Sequence, residues 1–408
     1  MSSASSAPMP GFQEDLAQTV LQMRGALTDV LASVGVDPGK PQAMSRQLGL
    51  DKTLAWKIGR LVTVADPAAS LEHLPGASGM RILLAAVTAA GATDAAAATV
   101  TRAREAFDRL IEVHSGDRAT LEAMVSGLRS THHQPKRAES ARRQSFLGNS
   151  ATWGIQARVR VGLHLVAPAV SDASRIDLIS IGALHELRRL RADTRWPLVI
   201  HKRFDLPAAD GSAQDDAMER IGDEGMPLLR EFCSSPLPDL RSVHVPNGTA
   251  WELSPGPVGK TANMTATFGF LNRSVAPVVS EAPGQFGEHL TMLNTPAETL
   301  LVDLLVHRTL PFASEPEALL VSRMESDAHF ATADCNRHRL PLHEKLNPIG
   351  SMVSTPLLPR HPELVAMAAE RIGHPLSDFA GYRLVMRYPP IPAVAVLRNA
   401  LPTAEGLD

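Results

Sequence analysis

Asp334, Cys335, Asn336, Arg337 and His338 stand together in the last quarter of the chain, with His343 and Glu344 close behind. Thiolate and imidazole are ligands that zinc accepts, and the spacing of Cys335, His338 and His343 suits one corner of a metal site. No second cysteine pair closes such a site, since the other cysteine, Cys233, is distant in sequence. The same residues would also make an ordinary polar loop around a buried cysteine. Cys335, His338 and His343 are therefore the metal-ligand candidates, and an enzyme with a loop-borne metal site is one reading to test.

Ser254-Pro-Gly-Pro-Val-Gly-Lys-Thr261 comes near a phosphate-binding loop. That loop needs glycine first, backbone amides around the phosphate and a helix opening at Lys-Thr. Here serine comes first and two prolines remove amide donors. The residues that follow, Met264 to Leu271, look like a strand. A hairpin turn explains the segment better than nucleotide binding. Gly-x-Ser-x-Gly and Gly-x-Gly-x-x-Gly turns are both lacking, and the 15 histidines have no fixed partner in sequence. No catalytic residue is named, no cofactor is expected, and an enzyme is the less favoured class.

The basic residues between Lys40 and Arg60 offer different chemistry. Lys40, Arg46, Lys52, Lys57 and Arg60 face a single acidic residue there, Asp51, in a chain of net charge −3. Local positive potential of this kind is what phosphate contact requires. The apolar residues Met44, Leu48, Leu50, Leu54 and Ile58 are spaced as two short helices would bury them. Gly49 falls at the joint, where a positive φ is cheap only for glycine. Ser45 is small where the helices would cross, and Asp51 is placed to cap the second helix. That helix would expose Lys52, Thr53, Trp56, Lys57 and Arg60.

Residues 41–60 resemble the helix-turn-helix of bacterial transcriptional regulators, a broad superfamily rather than one family. Two positions depart from its usual pattern. Ser45 stands where alanine is commoner, and Ala55 where a branched apolar residue is commoner. The resemblance implies a second helix lying in the major groove of double-stranded DNA, with base contacts from Lys52, Thr53, Trp56 and Lys57. Arg46, Lys52, Thr53, Trp56, Lys57 and Arg60 are the DNA-contact candidates. Against this stands the plain structural alternative: a helix pair with a solvated basic face, and Trp56 as a core anchor.

These candidates must be positioned by larger elements. With 408 residues the chain is long enough for two or three domains, and 44% hydrophobic residues supply a core. Two cysteines suit a reducing cytoplasm. The alanine, arginine and proline bias suggests a bacterial, GC-rich origin. Residues 1–11 read as a disordered tail, not a signal peptide. The alanine-rich run from Ile82 to Ala98 is interrupted by Thr88, Gly91, Thr93 and Asp94, and no membrane partner is expected.

Residues 12–130 read as a helical domain. Its first helix, with Leu16, Val20, Met23, Leu27, Val30, Leu31 and Val34 on one stripe, should end at Gly35. Ser78, Asp94 and Asp117 are placed to start later helices. Residues 131–145, rich in His, Lys and Arg, read as a basic linker. Residues 146–408 read as a mixed α/β domain rich in strands. Strands are expected over Ile155–Val166, Leu198–His201, Ser242–Val245, Ala250–Leu253, Met264–Leu271 and, last, Tyr382–Tyr388. Helices are expected over Ile176–Leu190, from a Thr295 cap through Val306, and over Glu363–Ile372. The fold class is thus α+β: an all-α helix-turn-helix domain followed by a larger strand-rich one.

The function that follows is a cytoplasmic DNA-binding regulator whose larger domain senses a small-molecule effector or makes a homo-oligomer. The rival is a self-assembling scaffold whose helices contact protein.

Overall fold

The computed structural model describes residues 11–128, 135–202, 216–245, 248–313, 316–323, 338–350 and 352–403. All but the last residue of the expected tail, residues 1–11, lies outside them. The chain is α+β, with helices first and a strand-rich unit after, and it divides near residue 133 into two compact units. Among the described residues no helix is long and apolar enough to cross a membrane.

The first unit runs through α1 (Phe12–Ser33), α2 (Pro41–Leu48), α3 (Lys52–Thr63) and α4 (Pro67–Ser70). It continues with α5 (Ala77–Ala89), α6 (Asp94–His114) and α7 (Arg118–Leu128). The α1 stripe expected from sequence is buried from Leu16 to Leu31. At its end Gly35 takes φ +72, and Val36 N–H reaches back to Leu31 O at 2.9 Å. Only a left-handed residue allows that closure, which is why glycine stands there. Val100, Ala103, Phe107 and Leu110 of α6 join α1, Met44, Ile58 and Leu61 in one core. Burying each such side chain contributes ~1.5–3 kcal/mol. Thr93 and Asp117 cap α6 and α7 through Ala96 N and Thr120 N. Helix α5 starts two residues earlier than expected, with Gly76 rather than Ser78 at its cap.

The second unit begins with α8 (Pro135–Trp153). From residue 135 onward, the stretch expected as a basic linker is the first half of this helix. Pro135 suits a first helical turn, and Ala138, Glu139, Ala141 and Arg142 are good helix formers. Arg142 is not a solvated charge: it pairs with Glu344 and donates to Arg387 O at 3.1 Å.

Strands β1 (Ile155–Pro168), β2 (Arg175–Arg189), β3 (Trp196–Lys202) and β4 (Asp216–Ala217) come next, then β5 (Leu240–Val245) and β6 (Gly248–Leu253). They are followed by β7 (Met264–Pro277), β8 (Phe286–Leu293), β9 (Ala297–His307) and β10 (Glu317–Ser322). The short β11 (Arg339–Leu340) and β12 (Asn347–Pro348) precede helix α9 (His361–Ile372), and β13 (Phe379–Arg387) and β14 (Ala393–Ala400) follow it. A seven-stranded sheet has the order β12-β13-β9-β1-β2-β7-β4. A four-stranded sheet has the order β11-β10-β14-β8, and a three-stranded one β3-β6-β5. Only β1 and β9 pair in parallel among these ladders.

Layering follows from alternation along the central strands. Leu301 and Leu305 of β9 join Leu364, Val365 and Ala368 of α9 in one core, while Leu300, Val302, Leu304 and Val306 join Ala393, Ala395 and Leu397 of β14 in another. The seven-stranded sheet is therefore covered by α9 on one face and by the four-stranded sheet on the other.

This double burial corrects two expected helices. The segment after Thr295 is strand β9, and Ile176–Leu190 lies in strand β2 apart from its last residue. A strand buried on both faces reads as a continuous apolar run, and periodicity cannot separate that from a helix. The expected capping residues serve across strands instead: Thr295 accepts from Trp196 Nε1 at 2.9 Å, and Glu298 pairs with Arg188. In β2 a register shift between Leu184 and Leu187, with Glu186 at φ +49, breaks the period-two pattern. Strands β4, β8, β10, β11, β12 and β14 are not among the expected ones, and β14 rather than β13 comes last.

Helix α9 is clasped at both ends. At its start His361 Nε2 lies 2.7 Å from Asp303 of β9, and both side chains are wholly buried. Arg383 of β13 holds the same carboxylate with two donors, at 2.7 and 2.6 Å. At its end Arg273 donates to Ile372 O at 3.1 Å and Arg371 O at 2.8 Å, and is itself paired with buried Asp177. A cation on the last carbonyls of a helix complements its dipole.

Candidate nucleic-acid interface

Helix α2 ends at Gly49, whose φ is +64. Leu50 N–H then bonds Ser45 O at 3.0 Å, and the Ser45 hydroxyl donates to Leu50 O at 2.7 Å. Serine at this departure from the usual pattern thus ties the helix end to the turn, a role that alanine lacks. Asp51 caps α3, accepting from Thr53 N at 2.8 Å and Leu54 N at 3.3 Å. The Thr53 backbone and hydroxyl, then Leu54, hold its carboxyl below the usual range.

Met44, Leu50, Ala55 and Ile58 are buried beneath the pair, and Leu48 and Leu54 are half-buried. Gly59 is placed with purpose. A β-carbon there would come within 2.7 Å of Pro38 O and 3.0 Å of Pro41 Cγ. Helix α3 therefore lies directly on the turn before α2.

Sequence reasoning missed Arg24, which reaches from α1 to the far end of α3. Its guanidinium donates to Leu61 O at 3.1 Å, Ala65 O and Asp66 O at 3.3 Å, and also to Val64 O. These carbonyls would otherwise lack partners at the helix end. Partial burial lowers its pKa from the ordinary value, and Asp66 opposes the shift. The available signal was an arginine beside Val20, Met23 and Leu27 on the α1 stripe.

The six DNA-contact candidates sit on this pair. Arg46 is on α2; Lys52, Thr53, Trp56, Lys57 and Arg60 are on α3. All are exposed except Lys57, which is half-buried. Trp56 is 48% exposed, so it is no core anchor, and its ring meets His73 edge-on at 5.1 Å. Lys40 pairs with Asp37 at 3.5 Å. Arg46, Lys52, Lys57 and Arg60 make no ion pair with a described residue.

Cys335 lies outside the described residues. His338 accepts from Ser322 N through its carbonyl at 2.8 Å, and His343 N–H bonds Glu344 Oε2 at 3.2 Å. Among the described residues no three His, Cys, Asp or Glu side chains are grouped as a metal would need. In the phosphate-loop-like turn, Gly256 N–H bonds Ala192 O at 2.9 Å and Gly259 N–H bonds Arg189 O at 3.0 Å. Amides already engaged with carbonyls cannot cradle a phosphate, and a single turn of 3-10 helix precedes β7.

No family model matches the chain, and no curated protein or solved structure is significantly similar to it.

Proposed function

We propose that this chain is a DNA-binding regulator that uses α2 and α3 as a helix-turn-helix. The strand-rich unit would then bind an effector or join copies of the chain. The single observation that carries this reading is the set of four cations without an ionic partner among the described residues, on a rigidly turned helix pair. Arg46, Lys57 and Arg60 neutralise phosphates, while Lys52, Thr53 and Trp56 approach base edges at the start of α3. The Asp51 cap and the Gly59 contact fix the direction of α3, and a reading helix needs that rigidity. One such helix gives little affinity, so two chains related by a two-fold axis, with half-sites about one helical turn apart, are the expected binding form.

Fluorescence anisotropy with mixed genomic duplex DNA at low salt tests the proposal. Saturable binding that weakens steeply with salt is expected. Absence of binding, together with large particles in light scattering, would favour the scaffold role instead.

A further inference from the structure

A second site lies within the strand-rich unit, on the face of the seven-stranded sheet away from α9. Three strands meet there in register. Gly162 of β1 is opposite Gly182 of β2, and Gly182 is opposite Phe268 of β7. Two glycines side by side leave the sheet without side chains at that point. A β-carbon at Gly182 would come within 2.4 Å of the Phe268 ring, and one at Gly162 within 2.1 Å of Thr291 Oγ1. Phe268 and Thr291 thus occupy the room the glycines leave. Above them is a cavity of about 310 Å³, closed in by Leu198 and Val199 of β3 and by Met292 of β8. Ligand pockets typically span ~300–1,000 Å³, so this one suits a small molecule.

The cavity is mostly apolar but holds two guanidinium groups. Arg160 of β1 donates through Nε to Met292 O at 3.1 Å and through Nη1 to Val161 O and Ala183 O. Its Nη2 has no hydrogen bond with a described residue, and Phe268 lies 5.6 Å beneath the charge. Arg323, just past β10, reaches the Met292 sulfur from Nη1 at 3.7 Å. Both arginines therefore converge on one residue. No Asp or Glu is among the described lining residues. Burial lowers Arg160 to about 10, which leaves it charged at neutral pH without a counter-ion among the described residues.

Neighbouring His164 adds no negative charge. Its ring nitrogens meet Ser180 Oγ at 3.2 Å and Thr291 Oγ1 at 3.1 Å. A desolvated cation paired with carbonyls but with no opposite charge is costly. An anion with an apolar body would satisfy it and fill the space against Leu198, Val199 and Phe268. Inorganic phosphate would leave those walls wet.

We infer that this cavity binds a small monocarboxylic acid with an apolar body, its carboxylate held between Arg160 and Arg323. The site does not depend on the DNA reading, so it stands or falls separately.

The test is calorimetric titration of the full chain with phenylacetate, octanoate, phenylacetamide and inorganic phosphate. At least one of the two acids should saturate at one per chain. Phenylacetamide should bind at least tenfold more weakly than phenylacetate, and phosphate should not compete. Arg160→Met removes three bonds to carbonyls and so perturbs the sheet itself, which makes Arg323→Met the decisive variant. It should weaken the acid at least tenfold and leave the amide unchanged. Failure of both acids to saturate would overturn the inference. So would equal binding of phenylacetate and its amide, phosphate binding as tightly as the acids, or unaltered acid binding by Arg323→Met.

Discussion

Replacing Lys57 and Arg60 together by alanine probes the proposed DNA contact most directly. Arg46, Lys57 and Arg60 are the cations assigned to phosphates, and none has an ionic partner among the described residues. If each displaces one counter-ion from a phosphate, the logarithm of affinity falls against the logarithm of salt with a slope of about −2.7 per chain, at ~0.9 per phosphate. The double variant keeps only Arg46 of the three, and its slope should be about −0.9. Raising salt from about 50 to about 200 mM should then weaken the parent ~40-fold and the variant only ~3.5-fold. A dimer doubles both slopes and leaves their ratio unchanged. Neither side chain supports the fold by an ion pair, so thermal unfolding should shift by less than ~0.5 kcal/mol. Anisotropy titrations on one genomic duplex at four salt concentrations supply both slopes. Equal slopes for parent and variant would refute the assignment of these residues to phosphates, whatever else binds DNA.

Two glycine substitutions should have opposite signs. Gly25→Ala in exposed α1, where nothing lies within 4 Å of an added β-carbon, should stabilise by ~0.5–1 kcal/mol. Gly59→Ala should destabilise by ~1–3 kcal/mol because Pro38 O stands 2.7 Å away. Urea unfolding of both variants reads the difference. Asp303→Ala leaves buried His361 and Arg383 without their shared carboxylate and should cost ~3–5 kcal/mol by the same assay.

Stability should also fall in acid. Burial pushes His164 down from 6.5 to about 3 and His289 to about 4, with each other's proximity and Arg160 adding to the His164 shift. The unfolded chain takes up these protons first, so their contribution is whole above pH 6.5 and is lost as pH falls toward 4. Each histidine should add ~1.4 kcal/mol per pH unit to the slope there. His289→Gln should remove about one such share in unfolding measured between pH 6 and 4.5.

What the sequence determined by itself is what short segments decide locally. The α1 stripe, the Gly35 and Gly49 turns, the Asp51 and Asp117 caps and the alternating strand β1 were all legible, because each depends on neighbours within a few residues. The exposed positions of α3 were legible for the same reason. Segments whose form is set by distant partners were not. Strands β2 and β9 carry apolar spacings that suit a helix equally well, and pairing on both edges with burial on both faces decided between them. The Arg24 clamp on α3 joins residues about forty positions apart. The Asp303, His361 and Arg383 cluster draws on two strands and a helix. The cavity above Gly162 and Gly182 exists only because the register of β1, β2 and β7 sets two glycines beside one phenylalanine, a relation that no local pattern encodes.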